Sequence, residues 1–133
     1  MTKEKCILVV DDEPTLLEFL DIYLSEEGYR VERASNGLEA IKMTEVRDYD
    51  AIITDVMMPV MDGIGFYKKL TDTSPHLMDK VIFISGYICK DKASFIKKTG
   101  RRLLPKPFQI AEITSALADI QKLNGTAIES AFC

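Results

Sequence analysis

At 133 residues, 47% apolar and 29% charged, the chain is long enough to bury one full hydrophobic core and has the composition of a water-soluble globular domain. Its formal net charge of −4 excludes non-specific attachment to nucleic acid or to an anionic membrane as the main activity, and no apolar run approaches membrane-spanning length. The three cysteines, Cys6, Cys89 and Cys133, are odd in number and lack metal-ligand spacing, which fits a reducing, cytoplasmic setting better than a disulfide framework.

Taken in chain order, short apolar runs alternate with helical patterns. "KCILVV" (5–10) predicts a first strand; it is too short for a signal-peptide core and runs straight into acids. A helix follows "DDEP", with Pro14 in its first turn, Leu17, Leu20 and Leu24 on one face, and Gly28 as its stop. "YRVERA" (29–34) is the second strand, and Asn36 the N-cap of a second helix over 37–47. "DAIIT" (50–54) is the third strand. It runs into "DVMMPVMDG", after which Ile64, Tyr67 and Leu70 mark a third helix starting at Asp62-Gly63. His76 then falls in a polar loop, where it reads as a solvated residue.

"KVIFIS" (80–85) is the fourth strand, 90–99 a short fourth helix stopped by Gly100, and "RRLL" (101–104) the fifth strand. The fifth helix spans 108–123 with Ile110, Ile113, Leu117 and Ile120 in register, and Asn124-Gly125 closes it. Residues 1–124 therefore read as one domain and 125–133 as a flexible C-terminal tail. Five such βα repeats imply a doubly wound α/β fold with a five-stranded parallel sheet and helices on both faces. The first, third and fourth strands are near-continuously apolar, as central strands are.

Ligands of open α/β sheets bind beyond the carboxyl ends of the strands. Those ends carry Asp11-Asp12, Asp55, Ser85-Gly86 and Lys106-Pro107. Each pair of carboxylates at about 4 Å costs roughly 4 kcal/mol at an effective dielectric of ~20, so three together call for a cation. Hard oxygen ligands suit Mg²⁺, which keeps several waters and accepts phosphate oxygens. Lys106 can hold a phosphoryl oxygen or pair with Asp55, and Ser85 can donate to the same group. The set amounts to a phosphoryl-transfer site with Asp55 as nucleophile. Taken alone, Asp11-Asp12 reads equally as the cap of the first helix, and Asp62-Gly63 reads as a cap and turn.

"VVDDEP", "DVMMPVMDG", "ISG" and "KPF", in that order, resemble the receiver domain of two-component response regulators over about residues 5–123. The resemblance implies a flavodoxin-like (βα)5 fold with strand order 2-1-3-4-5. It makes Asp55 the phosphoacceptor, Asp12 a direct Mg²⁺ ligand, Asp11 a close neighbour acting through water, and the Met57 backbone carbonyl a further ligand. Ser85 and Lys106 would hold the phosphoryl group, and the Lys106-Pro107 peptide is expected to be cis. Ser85 stands where the family often has Thr. Leu103 stands where many receivers carry the aromatic side chain that swings inward on phosphorylation, and Pro105 removes a donor from the last strand.

The implied partner is a histidine kinase or a histidine phosphotransfer protein, since His76 is no plausible internal phosphoryl donor. No direct nucleic-acid or membrane contact is expected. The fourth helix, fifth strand and fifth helix form the implied switching surface and the face for a dimer. The basic run from Lys90 to Lys106 within it reads either as a solvated face or as an interface, and Tyr87 reads as a rim residue able to gate the site. "FIKKTGRRLLPKPF" looks more like receivers attached to sensor histidine kinases than those of transcription factors, and the chain is either stand-alone or a piece of a longer protein.

Three other functions compete with this reading. A pseudo-receiver that binds partners without phosphorylation would not need the full set of acids, Ser85 and Lys106. An FMN binder would want Gly, Ser or Thr donors in the first loop, where "DDEP" stands. An aspartate-nucleophile hydrolase would want its nucleophile after the first strand and a cap domain.

Overall fold

The structure, a computed structural model, describes residues 4–132, with side chains placed through Gln121. Five parallel strands, β1 (Cys6–Val10), β2 (Arg30–Ala34), β3 (Ala51–Asp55), β4 (Val81–Ser85) and β5 (Leu103–Pro105), form one sheet in the order β2-β1-β3-β4-β5. The helices are α1 (Pro14–Glu26), α2 (Gly37–Val46), α3 (Gly63–Thr73), α4 (Lys90–Thr99) and α5 (Ile110–Phe132). This is the flavodoxin-like (βα)5 architecture.

Strand alternation divides the core in two. Leu8, Val10, Ile52 and Phe83 point to one face and pack with Ile41, Phe66, Leu70 and Ile96 from α2, α3 and α4. Ile7, Val9, Ile53, Ile82 and Ile84 point to the other and pack with Leu20 and Leu24 of α1 and Ile113 and Leu117 of α5. Side chains two apart share a face, so a continuous apolar run supplies both layers at once. At about 1.5–3 kcal/mol per buried Leu, Ile or Phe, these layers are the main stabilising contribution, and they hold the strand ends in place.

Local chemistry sets the helix starts. The Asn36 side chain accepts from the Glu39 backbone N–H at 2.9 Å, and Asp62 accepts from Gly65 at 2.8 Å. Gly100, at φ 77, ends α4 in the left-handed region.

Three boundaries depart from the sequence expectation. A 3₁₀ turn occupies Pro75–Lys80 in place of a loop, because Leu77 folds back into the core. β5 is only three residues and lies two positions later than "RRLL" predicts. The Arg101 backbone N–H turns to Thr99 Oγ1, while Pro105 is tolerated because β5 is an edge strand. α5 passes through Asn124-Gly125 to Phe132, so the expected stop there is not taken. The expected tail falls within this extension up to Phe132, and Cys133 lies outside the described residues.

Candidate functional site

Strand register assembles the site. Val10 pairs with Thr54, which puts the next residues, Asp11 and Asp55, side by side at the mouths of β1 and β3. Asp55 pairs with Ile84 and Ser85 with Pro105, so Ser85 and then Lys106 complete the row. The Lys106 backbone N–H donates to the Ser85 carbonyl at 2.8 Å, and the Lys106-Pro107 peptide is cis. Residues tens of positions apart thus meet at one edge because every strand ends at the same level.

Asp11 and Asp55 are buried and Asp12 is exposed, and carboxylate oxygens of all three lie within 4.8 Å of one another. Lys106 Nζ stands 2.9 Å from Asp11 Oδ2, 3.3 Å from Asp55 Oδ2 and 3.5 Å from Glu13 Oε1. One ammonium therefore serves three carboxylates, with Asp12 a fourth acid beside them. Burial pushes the Asp55 carboxyl up to about 6, with the Asp11 charge adding to the rise and Lys106 and the Met57 backbone N–H opposing it. Asp11 is also raised, chiefly by burial. Burial alone would lower the Lys106 ammonium, but its bond to Asp11 and the charges of Asp11 and Asp55 outweigh that and raise it. The negative charge is under-compensated. Hard oxygen donors in excess, at a solvent-facing mouth, are a donor set that fits a divalent cation.

A depression of about 350 Å³ opens over these groups, lined by Asp12, Asp55, Met57, Ser85 and Lys106, with Glu13 and Tyr87 on its rim. The predicted site residues Asp12, Asp55, Met57, Ser85 and Lys106 therefore share one space, with Asp11 beneath it. The two readings of Asp11 hold together, since its Oδ1 accepts the Glu13 backbone N–H at 2.9 Å while Oδ2 pairs with Lys106. Ser85 Oγ donates to the Tyr87 carbonyl at 2.8 Å and not toward Asp55. His76 lies away from this mouth, its Nε2 2.6 Å from exposed Asp48 Oδ1.

The loop after Asp55 is shaped by close approach. A Cβ on Gly63 would stand 2.2 Å from the Asp55 carbonyl oxygen, so only glycine lets α3 begin against the end of β3. The Gly63 N–H donates to Val56 at 2.9 Å, closing the loop. Sequence reading missed two participants. Glu13 joins the Lys106 cluster, a role its place as a third acid after β1 hints at. Lys92 pairs with Asp62 across 30 positions, which no local spacing signals.

The family model for the response regulator receiver domain matches residues 7–118. The chain belongs to that family. As a receiver it is similar to the alkaline phosphatase synthesis transcriptional regulatory protein PhoP of Bacillus subtilis, 35% identical over 131 residues that cover 95% of this chain and 52% of PhoP. The solved receiver domain of the Francisella response regulator 1452 is 28% identical with a TM-score of 0.79, covering 91% of this chain and 99% of that one. The receiver domain of a signal transduction histidine kinase from Syntrophus aciditrophicus is 30% identical with a TM-score of 0.77, over 87% of this chain and 89% of that one. This receiver spans about half the length of the curated relatives it matches. Its Asp11, Asp12 and Asp55 form the acidic cluster able to hold a metal, and membership of the family places it in two-component signalling. Among the described residues no helix is long and apolar enough to cross a membrane.

Proposed function

We propose that this receiver is a Mg²⁺-dependent phosphoacceptor in which Asp55 takes a phosphoryl group from the phosphohistidine of a histidine kinase or histidine phosphotransfer protein. The observation that carries the reading is the Asp55 carboxylate itself, buried at a strand mouth, flanked by Asp11 and Asp12 and 3.3 Å from Lys106. With its carboxyl held near 6, Asp55 is mostly ionised at neutral pH and available as a nucleophile. An Asp55 oxygen attacks phosphorus, the phosphorus–nitrogen bond of the donor breaks, and the imidazole leaves with a proton from solvent.

Asp12, Asp55 and the Met57 carbonyl would hold Mg²⁺, with Asp11 beside them; when bound, the ion neutralises charge on the carboxylates and the incoming phosphoryl oxygens. Lys106 is placed to move from its carboxylate partners to a phosphoryl oxygen. Ser85 reaches the same oxygen by rotating its hydroxyl away from Tyr87. The surface of α4, β5 and α5 is where partners, or a second copy, would read the modification.

Incubation with acetyl phosphate and Mg²⁺ is expected to add one base-labile phosphoryl group to the intact mass, lost in Asp55→Asn and in EDTA. No adduct in the parent protein, together with no binding of beryllofluoride, would sink this reading in favour of a pseudo-receiver.

A further inference from the structure

A groove of about 380 Å³ separates the first turns of α3 and α4, with Asp62, Lys68, Lys92 and Phe95 on its walls. Lys92 reaches across it. Its Nζ lies 3.2 Å from Asp62 Oδ2 and 3.2 Å from Met57 Sδ. Met57 and Asp62 flank the loop that follows Asp55, so one ammonium from α4 grips that loop at both ends. The other groove lysine, Lys68, lies over Phe95 of α4 in the same groove, with Nζ 4.9 Å from the ring centre. Asp62 divides its carboxylate between the α3 cap through Oδ1 and Lys92 through Oδ2.

α4 is lightly buried, and the loop is strained. α4 buries only Ile96 completely, and its N-cap residue, Cys89, contributes no side-chain hydrogen bond. In the loop, Val60 sits at φ 70 while the Met61 N–H donates to the Pro59 carbonyl at 2.8 Å. A β-branched residue in such a three-residue turn is strained. A contact to a lightly buried helix decides its position more readily than one to a deeply packed helix.

We propose that Lys92 is a positioning residue for the phosphoacceptor loop and couples the metal site to α4 through Met57 and Asp62. The proposal rests on the reading of Met57 as a Mg²⁺ ligand. A loop held at both ends loses less conformational freedom when its backbone becomes a ligand. Linkage runs both ways, so metal binding steadies α4. With Leu103 in place of an aromatic switch, this clamp ties α4 to the Asp55 loop without passing through β5.

Hydrogen exchange read by mass spectrometry, with and without saturating Mg²⁺, tests the coupling in the parent, Lys92→Met, Asp62→Asn and Lys92→Arg. Lys92→Met keeps the apolar stem, and Asp62→Asn keeps an acceptor for the α3 cap. Mg²⁺ is expected to slow exchange in the parent both near Asp11 and Asp55 and along α4. In Lys92→Met and Asp62→Asn the protection near Asp11 and Asp55 persists, the α4 response disappears, and Mg²⁺ binds about five-fold more weakly, the size expected of a partly buried ion pair. Lys92→Arg restores the response. An α4 response to Mg²⁺ in Lys92→Met equal to that of the parent overturns the clamp while leaving the metal site standing. No response near Asp11 and Asp55 in the parent overturns the metal-site reading and the clamp with it.

Discussion

The buried Asp55 carboxylate carries a stability cost. Its folded carboxyl lies near 6 against an ordinary value of 3.8, so between those values the folded state holds the proton more firmly than the unfolded chain. Folding is therefore favoured by protonation, and stability from this group is lost as pH rises from about 4 to about 6. The full shift corresponds to about 3 kcal/mol, which Asn relieves while giving up the ion pair with Lys106. In Mg²⁺-free buffer, Asp55→Asn is expected to gain about 2 kcal/mol over the parent at pH 7 and much less at pH 4.5, as read by urea unfolding. An equal gain at both values would mean the carboxylate is not under-compensated. Gly63 makes the complementary demand on space. Gly63→Ala drives a methyl into the Asp55 carbonyl and should cost about 3 kcal/mol, with loss of phosphoryl uptake, in parallel unfolding and acetyl phosphate assays. Of these residues, Asp55 and Lys106 are legible in sequence as polar groups ending apolar runs. That Gly63 shapes the loop is legible from the motif, but the close approach that demands glycine there is not, because it depends on where the end of β3 passes.

At the scale of elements, the loop between β3 and α3 stores strain that the rest of the site does not need for folding. Val60 is exposed and left-handed, so Val60→Gly should stabilise the protein by about 1 kcal/mol in thermal or urea unfolding. A loss of stability would show that the valine side chain has a partner in solution. Apolar periodicity and caps marked all five helices, since Asn36, Asp62 and Gly100 act within a few residues of themselves. The boundaries that moved are those set by distant packing. Pro75–Lys80 coils because Leu77 finds the core, and β5 is placed by its pairing with β4 rather than by its own composition. β5 also leaves Leu103 packed toward α4, where an aromatic was absent from the sequence.

For the whole molecule, a cation held at the acidic mouth would link metal binding to folding. Mg²⁺ at one hundred times its dissociation constant should raise unfolding stability by about 2.7 kcal/mol, an increment that Asp12→Asn largely removes in the same titration. Equal stabilisation of both proteins would place the ion elsewhere. The sequence by itself determined the five βα repeats, the strands with two buried faces, and the chemistry available at each strand end, because hydrophobic period and residue type act locally. It also determined the family, through four short motifs in order. Only the tertiary structure decided the pairing of Val10 with Thr54 that sets Asp11 beside Asp55. It decided as well the sharing of Lys106 among Asp11, Asp55 and Glu13, and the reach of Lys92 to Met57 and Asp62. Those contacts join residues far apart in the chain, and their energies depend on distance and burial that arise only once the sheet has closed.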